Sequence, residues 1–162
     1  MSSTAEIAAA YYGTGVVLDS NILLLLVGGT SNRRLIGSWP RLKQFTTSDY
    51  DLLVRILTRF RMAVTTPAIL AEVNSLANKL TANDKPQFYE ALRRFVGLVD
   101  EKVIASKEVV ATDYFKRFGY TDACVGLLGK QNYLVLTDDF ALSGFLLANE
   151  VQAINFNHLR EL

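Results

Sequence analysis

The chain has few of the residues that build disulfides and zinc sites. Cys124 is its only cysteine and His158 its only histidine among 162 residues. An internal disulfide is therefore excluded, and so is a structural zinc site, which needs about four Cys or His ligands. Because disulfides are typical of oxidising compartments, the single cysteine favours a cytoplasmic protein.

Long apolar runs are also missing. The run from Ile22 to Val27 is followed by two glycines, and it stops far short of the roughly 20 apolar residues that a membrane span needs. The first fifteen residues contain Glu6 and no Lys or Arg, so they do not fit a secretory signal. We therefore expect no membrane partner. Half of the residues are apolar, which is typical of a packed globular domain.

Neither sign of charge dominates, since seventeen Lys and Arg residues stand against sixteen Asp and Glu. This balance alone neither favours nor excludes a nucleic-acid partner. If five of the acids gather at one site, as proposed below, eleven remain and the rest of the chain carries +6. An acidic pocket on a basic body is typical of a metal-dependent enzyme that acts on a polyanion.

Predicted strands alternate with predicted helices along the chain. Apolar and β-branched runs predict strands near 16–19, 62–65, 133–137 and 151–155. Helical spacing of apolar residues predicts helices over 22–27, 48–61, 67–80, 83–95, 106–118, 122–130 and 140–148. We predict one domain over 1–162, with its core in 16–156. Its fold class is α/β, a three-layer α/β/α sandwich with a central, mainly parallel sheet.

Polar side chains predict where several helices begin. Ser20 or Asn21 would cap the helix over 22–27, and Gly28 and Gly29 would end it. Ser48 would begin a capping box, and Thr121 would cap the helix that follows it. The polar stretch between Gly29 and Thr47 is predicted to be a loop with at most a short helix.

Acidic side chains follow the predicted strands. Asp19 comes after the first, and Asp138 and Asp139 come after the strand over 133–137. Because the carboxyl ends of parallel strands meet at one edge of a sheet, we expect these carboxylates in one cleft. Glu72 is expected to border the core on its helix, and Asp122 begins a helix that can reach the same cleft.

Carboxylates that lie within a few Å of one another repel, so such a cleft needs a cation. Mg²⁺ or Mn²⁺ fits, because these ions prefer oxygen ligands. We predict one or two Mg or Mn ions as cofactors. The side chains of Ser20, Asn21 and Thr137 are candidates to orient the carboxylates or bound water through hydrogen bonds.

Four stretches of the chain, VVLDSNILLLL, TTPAILAEVNSL, YTDACVGLL and LVLTDDFAL, resemble in this order the four acidic motifs of the PIN-domain nucleases. The first carries the family's Asp-Ser/Thr-Asn pattern at Asp19, the second its helical acid at Glu72, and the third Asp122. The fourth is similar to the family's Thr-x-Asp pattern at Thr137 and Asp139. Residues 1–15 and 29–47 are not explained by the resemblance.

The resemblance implies a metal-dependent ribonuclease with RNA as its substrate. The implied catalytic residues and metal ligands are Asp19, Glu72, Asp122 and Asp139, with Asp138 as a further metal ligand. Small stand-alone members of the family are often toxins of toxin–antitoxin pairs, so an antitoxin protein and a second copy of the chain are expected partners. The chain is longer than the compact toxins usually are.

Several residues also have a purely structural interpretation. Asp19 fits a turn or an N-cap at a strand end, and Asp122 fits a helix N-terminus, where it would interact with the helix dipole. Cys124 has the helical spacing of a buried small residue. Four basic residues could bind phosphates or be only solvated: Arg33, Arg34, Arg41 and Lys43.

Two other functions remain open on the sequence. One is a PIN-like module that binds RNA or protein without cutting it. The other is a haloacid-dehalogenase-like phosphatase, which needs a second Asp two residues after the first, where this chain has Asn21.

Overall fold

The protein is described by a computed structural model that covers residues 3–160. Its centre is a five-stranded sheet in the order β3-β2-β1-β4-β5, in which every pair of neighbouring strands is parallel. The strands are β1 (Val16–Leu18), β2 (Ala63–Thr65), β3 (Asp100–Glu101), β4 (Leu134–Thr137) and β5 (Ala153–Asn155). Helices flank this sheet, which confirms the predicted α/β class with a central parallel sheet.

Among the described residues, all helices but the first and the last lie between successive strands along the chain. The helices are α1 (Thr4–Ala10), α2 (Ser20–Ser31), α3 (Leu35–Ser38), α4 (Thr47–Leu57), α5 (Pro67–Ala77), α6 (Lys85–Val96), α7 (Ser106–Val110), α8 (Asp113–Phe118), α9 (Tyr120–Lys130), α10 (Phe140–Ala148) and α11 (Phe156–Arg160). Parallel neighbouring strands need crossover connections of this kind, most often through a helix. Among residues 3–160, none of these helices is both long and apolar enough to cross a membrane.

The central strand β1 is buried on both faces, as its uninterrupted apolar sequence predicts. It pairs with β4 in a register that sets Val17 opposite Val135 and Leu18 opposite Leu136. The ladder continues for one more bond, since the Asp19 N–H donates to the Leu136 carbonyl at 3.1 Å. This register brings Asp19 to the carboxyl edge of the sheet beside Thr137.

Helix α2 extends further than predicted, because its two glycines do not end it. A Cβ atom on Gly28 would lie 2.8 Å from Leu42 Cδ1, and one on Gly29 would lie 2.3 Å from Tyr50 Cδ2. The glycines therefore allow neighbouring side chains to pack closely against the helix. The prediction that they act as a C-cap was wrong.

Three predicted helix starts were also wrong. Asp19, rather than Ser20 or Asn21, caps α2 by accepting the Ile22 N–H at 3.1 Å. The capping box of α4 is formed two residues earlier than predicted, by Thr46 and Asp49. Helix α9 begins one residue before Thr121 and has no side-chain cap.

The predicted helix over 106–118 is two helices, because Thr112 begins a new one. Its hydroxyl accepts the Phe115 N–H at 3.1 Å and caps α8. The N-terminal residues, for which no element was predicted, contain α1 with a capping box between Ser3 and Glu6. Cys124 is buried in α9, as its spacing predicted.

Candidate functional site

Asp19 is the most buried carboxyl group of the predicted site. It is 5% exposed, and the Thr137 hydroxyl donates a hydrogen bond to its second oxygen. Burial, and after it the charge of Asp138, raises the pKa of Asp19 to about 7. The metal-free protein therefore keeps a large fraction of this group protonated near neutral pH.

Thr137 connects two parts of the site. It is the last residue of β4 and is fully buried. While its hydroxyl donates to Asp19, the same oxygen accepts the Asp139 N–H at 3.0 Å. One side chain thus holds the carboxylate after β1 and the backbone after β4, as a residue that orients ligands would.

The two aspartates after β4 have different environments. Asp139 is exposed and caps α10 by accepting the Leu142 N–H at 2.9 Å. Asp138 is half-buried and accepts a bond of 3.2 Å from Asn21 Nδ2. Burial is the main cause that raises the pKa of Asp138. The structure therefore gives Asp138, which occupies the variable position of the motif, more contacts with the site than the sequence pattern implied.

Asp122 and Glu72 come from the packed helices α9 and α5. Asp122 lies half-buried in the first turn of α9, and burial, followed by the charges of Glu72 and Asp139, raises its pKa to about 6. Glu72 is exposed on α5, so the expectation that it borders the core was wrong. Its helical position turns the side chain outward, yet its charge still acts on Asp122.

All five acids therefore lie at one edge of the sheet, where they are coupled electrostatically. The charges of Asp138 and Asp122 contribute to the raised pKa of Asp19. The charges of Glu72 and Asp139 do the same for the pKa of Asp122. Within residues 3–160, however, no group of three or more Asp, Glu, His or Cys side chains is arranged so that it could hold a metal ion. The carboxylates are neighbours, but they do not converge on a common point in this conformation.

The chemistry of the available donors fits Mg²⁺ or Mn²⁺. The acids offer only oxygen atoms, which these ions prefer. Next to Asp19, the Ser20 hydroxyl is buried and has no hydrogen-bond partner among the described residues. Such an orphaned polar atom beside carboxylates with raised pKa values is consistent with a site completed by an additional group.

A polar network missed by the sequence analysis supports the site from one side. Asn157 Nδ2 donates to the Asp138 carbonyl at 2.9 Å. The Arg160 guanidinium donates hydrogen bonds to Asn157 Oδ1 at 3.0 Å, to Asp49 Oδ1 at 3.0 Å and to the Gln44 carbonyl at 2.8 Å. Asn157 closely follows a strand at the same edge, which was the one available signal, whereas nothing in the sequence relates Arg160 to Asp49.

The predicted basic cluster is split between two places. Arg33 and Arg34 follow the twelve-residue helix α2, so they lie about 18 Å along its axis from Asp19. Arg33 is also held by Asp51 in a bidentate pair of 2.7 and 2.9 Å. Exposed Arg41 and Lys43 precede Gln44, whose side chain favours the ionised form of Asp138. Only the second pair belongs to a segment that reaches the site.

An apolar cavity of about 460 Å³ lies elsewhere, between α1, α4 and the sheet. Side chains that line it include Val16, Leu136 and Ile154 of the sheet and Ile56 of α4. None of the five acids is among the described residues that line it. This apolar cavity is therefore separate from the acidic edge.

Comparison with known proteins does not identify a family. No protein-family model and no curated protein matches the chain. Among solved structures, "a domain of a functionally unknown protein" from Methanocaldococcus jannaschii DSM 2661 has a TM-score of 0.47 and 16% sequence identity. That similarity covers 87% of this chain and 89% of the archaeal one. A likeness at this level identifies neither a family nor an activity.

Fold and site together define a class of protein in structural terms. It is an α/β protein with a parallel sheet, and five coupled carboxyl groups lie at the carboxyl edge of that sheet.

Proposed function

We propose that the protein is a metal-dependent ribonuclease of the PIN type, which hydrolyses phosphodiester bonds at its acidic edge. The observation that carries this proposal is that carboxyl groups from four separate segments lie close enough for their charges to raise the pKa values of Asp19, Asp122 and Asp138. A buried acid with a pKa near 7 is costly for a fold that needs only structure. The same acid is useful where a cation and a phosphate are to be bound.

The side chains have distinct roles in this proposal. Asp19, Asp122 and Asp139 would hold Mg²⁺ or Mn²⁺, and Glu72 would hold a second ion or position water. When bound, such an ion lowers the pKa of water and offsets negative charge on the phosphate. Thr137 keeps Asp19 and the Asp139 backbone in a fixed relation, and Asn21 does the same for Asp138.

The first test is cleavage of a mixture of structured and single-stranded RNAs with Mg²⁺, Mn²⁺ or EDTA. We expect wild-type protein to cut with a divalent ion and not with EDTA. The matched control is Asp19→Asn, which keeps a good N-cap for α2 but removes the charge. Equal cleavage by wild type and by Asp19→Asn would contradict the proposal, because the activity would then be a contaminant or would need no charge at this position.

A second function is favoured by one specific observation, namely that no metal-holding group is preformed among residues 3–160. A PIN-like module that binds RNA or protein without cutting would need no such group. RNA binding that EDTA leaves unchanged, together with no cleavage in any divalent ion, would support this module over the nuclease.

The toxin role is proposed only as a biological context for the nuclease. Expression of the chain alone should then arrest growth, and coexpression of a neighbouring open reading frame should relieve the arrest. Harmless expression of an active nuclease would contradict the toxin role and leave the activity intact.

A further inference from the structure

Phe140 is unusually exposed for a large aromatic residue. It directly follows Asp139 as the first residue of α10, and 61% of it is accessible to solvent. Its ring lies 5.5 Å from the imidazole ring of exposed His158, between centroids, at an interplanar angle of 58°. The two rings form an exposed aromatic pair, which we name the Phe140–His158 platform.

This platform lies directly beside the acidic site. Asp139 caps the helix that Phe140 begins, so the carboxylate and the ring lie at the same end of α10. On the other ring, His158 follows Asn157, which donates to the Asp138 carbonyl at 2.9 Å. Each ring is therefore one residue away from a group that is bonded into the site.

We propose that the platform stacks an unpaired base of a single-stranded RNA whose backbone lies across the acidic edge. The inference rests on the proposed nuclease and deepens it by assigning the residues that contact a base of the substrate. Exposed aromatic rings beside a backbone-binding site are the usual stacking surfaces for single strands, because every base has a flat π-face. In a duplex the bases are already stacked and cannot reach a ring in this way.

Charge near the platform is compatible with such a strand. Exposed Arg41 and Lys43 precede Gln44, which neighbours Asp138 through its side chain. Neither cation forms a salt bridge with another described residue, in contrast to Arg33. They are therefore available to phosphates on the strand that the platform engages.

The test measures binding rather than cleavage. In the Asp19→Asn background, which lacks a proposed metal ligand and should not cut RNA, we compare the affinity of a single-stranded RNA for protein with and without Phe140→Ala. The expected loss is roughly 5- to 150-fold, the usual effect of removing one stacking ring. Leu147→Ala is the matched control, since Leu147 is 49% exposed on the same helix and should change affinity little.

A second variant reports on stacking itself. Phe140→Trp should retain affinity, and its emission should be quenched by single-stranded RNA. The native Trp39 is buried and provides the unquenched reference. An RNA strand that lacks the stacked base should bind the protein with native Phe140 weakly. Its affinity should equal that of the intact strand for Phe140→Ala.

Equal binding of RNA by Phe140→Ala and Leu147→Ala would contradict the platform, and so would a failure of the Asp19→Asn protein to bind RNA. It is also contradicted if Phe140→Ala weakens the binding of duplex and single-stranded RNA alike. A change in sedimentation without a change in RNA affinity would mean that a second copy of the chain covers the ring. The two proposals fail separately. Binding that depends on Phe140 without cleavage by wild type rejects the nuclease, whereas metal-dependent cleavage unaffected by Phe140→Ala rejects the platform.

Discussion

At the scale of single residues, the site is a set of acids placed where ionisation is difficult. Asp19 is enclosed by β1, α2 and β4, and the nearest charges are negative. Each of its two oxygens accepts one hydrogen bond, from the Ile22 N–H and from the Thr137 hydroxyl. These contacts hold the carboxylate in place but offset only part of the cost of its charge.

The stability of the metal-free protein should therefore fall as pH rises from about 4 to about 7. The folded state binds the Asp19 proton more tightly than the unfolded chain does, with a pKa of about 7 against 3.8, so ionisation favours unfolding. The full effect is about 4 kcal/mol. Asp122 acts in the same direction. Urea denaturation in EDTA at several pH values measures this change in the free energy of unfolding.

Asp19→Asn is the control for that measurement. It should be more stable than the wild type at pH 8 and about equal at pH 4, where the wild-type carboxyl is neutral. A difference that does not grow with pH would show that Asp19 has an ordinary pKa.

Replacement of Thr137 by Val should destabilise the protein by about 1 to 3 kcal/mol. The change keeps the shape of the side chain but leaves the second carboxyl oxygen of Asp19 and the Asp139 N–H without a partner. Thr137→Ser retains the hydroxyl and should lose less. Thermal denaturation of the three proteins compares them, and equal losses for Val and Ser would assign the effect to packing alone.

At the scale of elements, α2 has its N-terminus at the acidic edge and its C-terminal turns packed closely against other side chains. Its N-terminus presents Asp19, Ser20 and Asn21, while its C-terminal glycines accommodate Leu42 and Tyr50. A helix packed this closely sets the position of its N-terminus, so packing far from the acids contributes to the site.

Gly29→Ala should destabilise the protein by about 1 to 3 kcal/mol, because the added methyl group would overlap the Tyr50 ring. Gly144→Ala is the matched control. It also lies within a helix, but its added methyl group meets nothing within 4 Å. There the better helix propensity should stabilise the protein by about 0.5 to 1 kcal/mol. Chemical denaturation measures both, and losses of the same size would contradict the packing explanation.

Elements with strong local signals were predictable from the sequence. The helix that begins at Pro67 and the strand that ends at Thr137 were placed within a few residues, because proline and β-branched residues act locally. The continuation of α2 through two glycines was not, since it depends on Tyr50, which lies in another helix. Asp19, Ser20 and Asn21 each fit an N-cap in isolation, so the local sequence did not decide which of them caps α2.

At the scale of the whole molecule, the sequence predicted which acids lie at the edge of the sheet. It did not predict the long-range hydrogen bonds that hold the neighbouring segments in place. Alternation of strands and helices was sufficient to bring Asp19 and Asp139 to one edge. The bond between Arg160 and Asp49 joins residues 111 positions apart and follows from no local pattern.

Mg²⁺ or Mn²⁺ should stabilise the entire fold if the proposed site binds it. A ligand at a hundred times its dissociation constant adds about 2.7 kcal/mol to the free energy of unfolding. We expect the melting temperature of the wild type to rise on titration at pH 8, and that of Asp19→Asn to change little. An equal rise in both proteins would place any bound ion away from Asp19.

The position of β1 in the middle of the sheet also bears on synthesis. Its neighbour β4 lies more than a hundred residues later, and the bond between Thr137 and Asp19 spans 118 positions. Until β4 has left the ribosome, β1 lacks one of its two neighbouring strands, and the acids that follow β4, Asp138 and Asp139, are missing from the edge. The acidic edge can therefore assemble only after β4 has been synthesised, however early β1 leaves the ribosome.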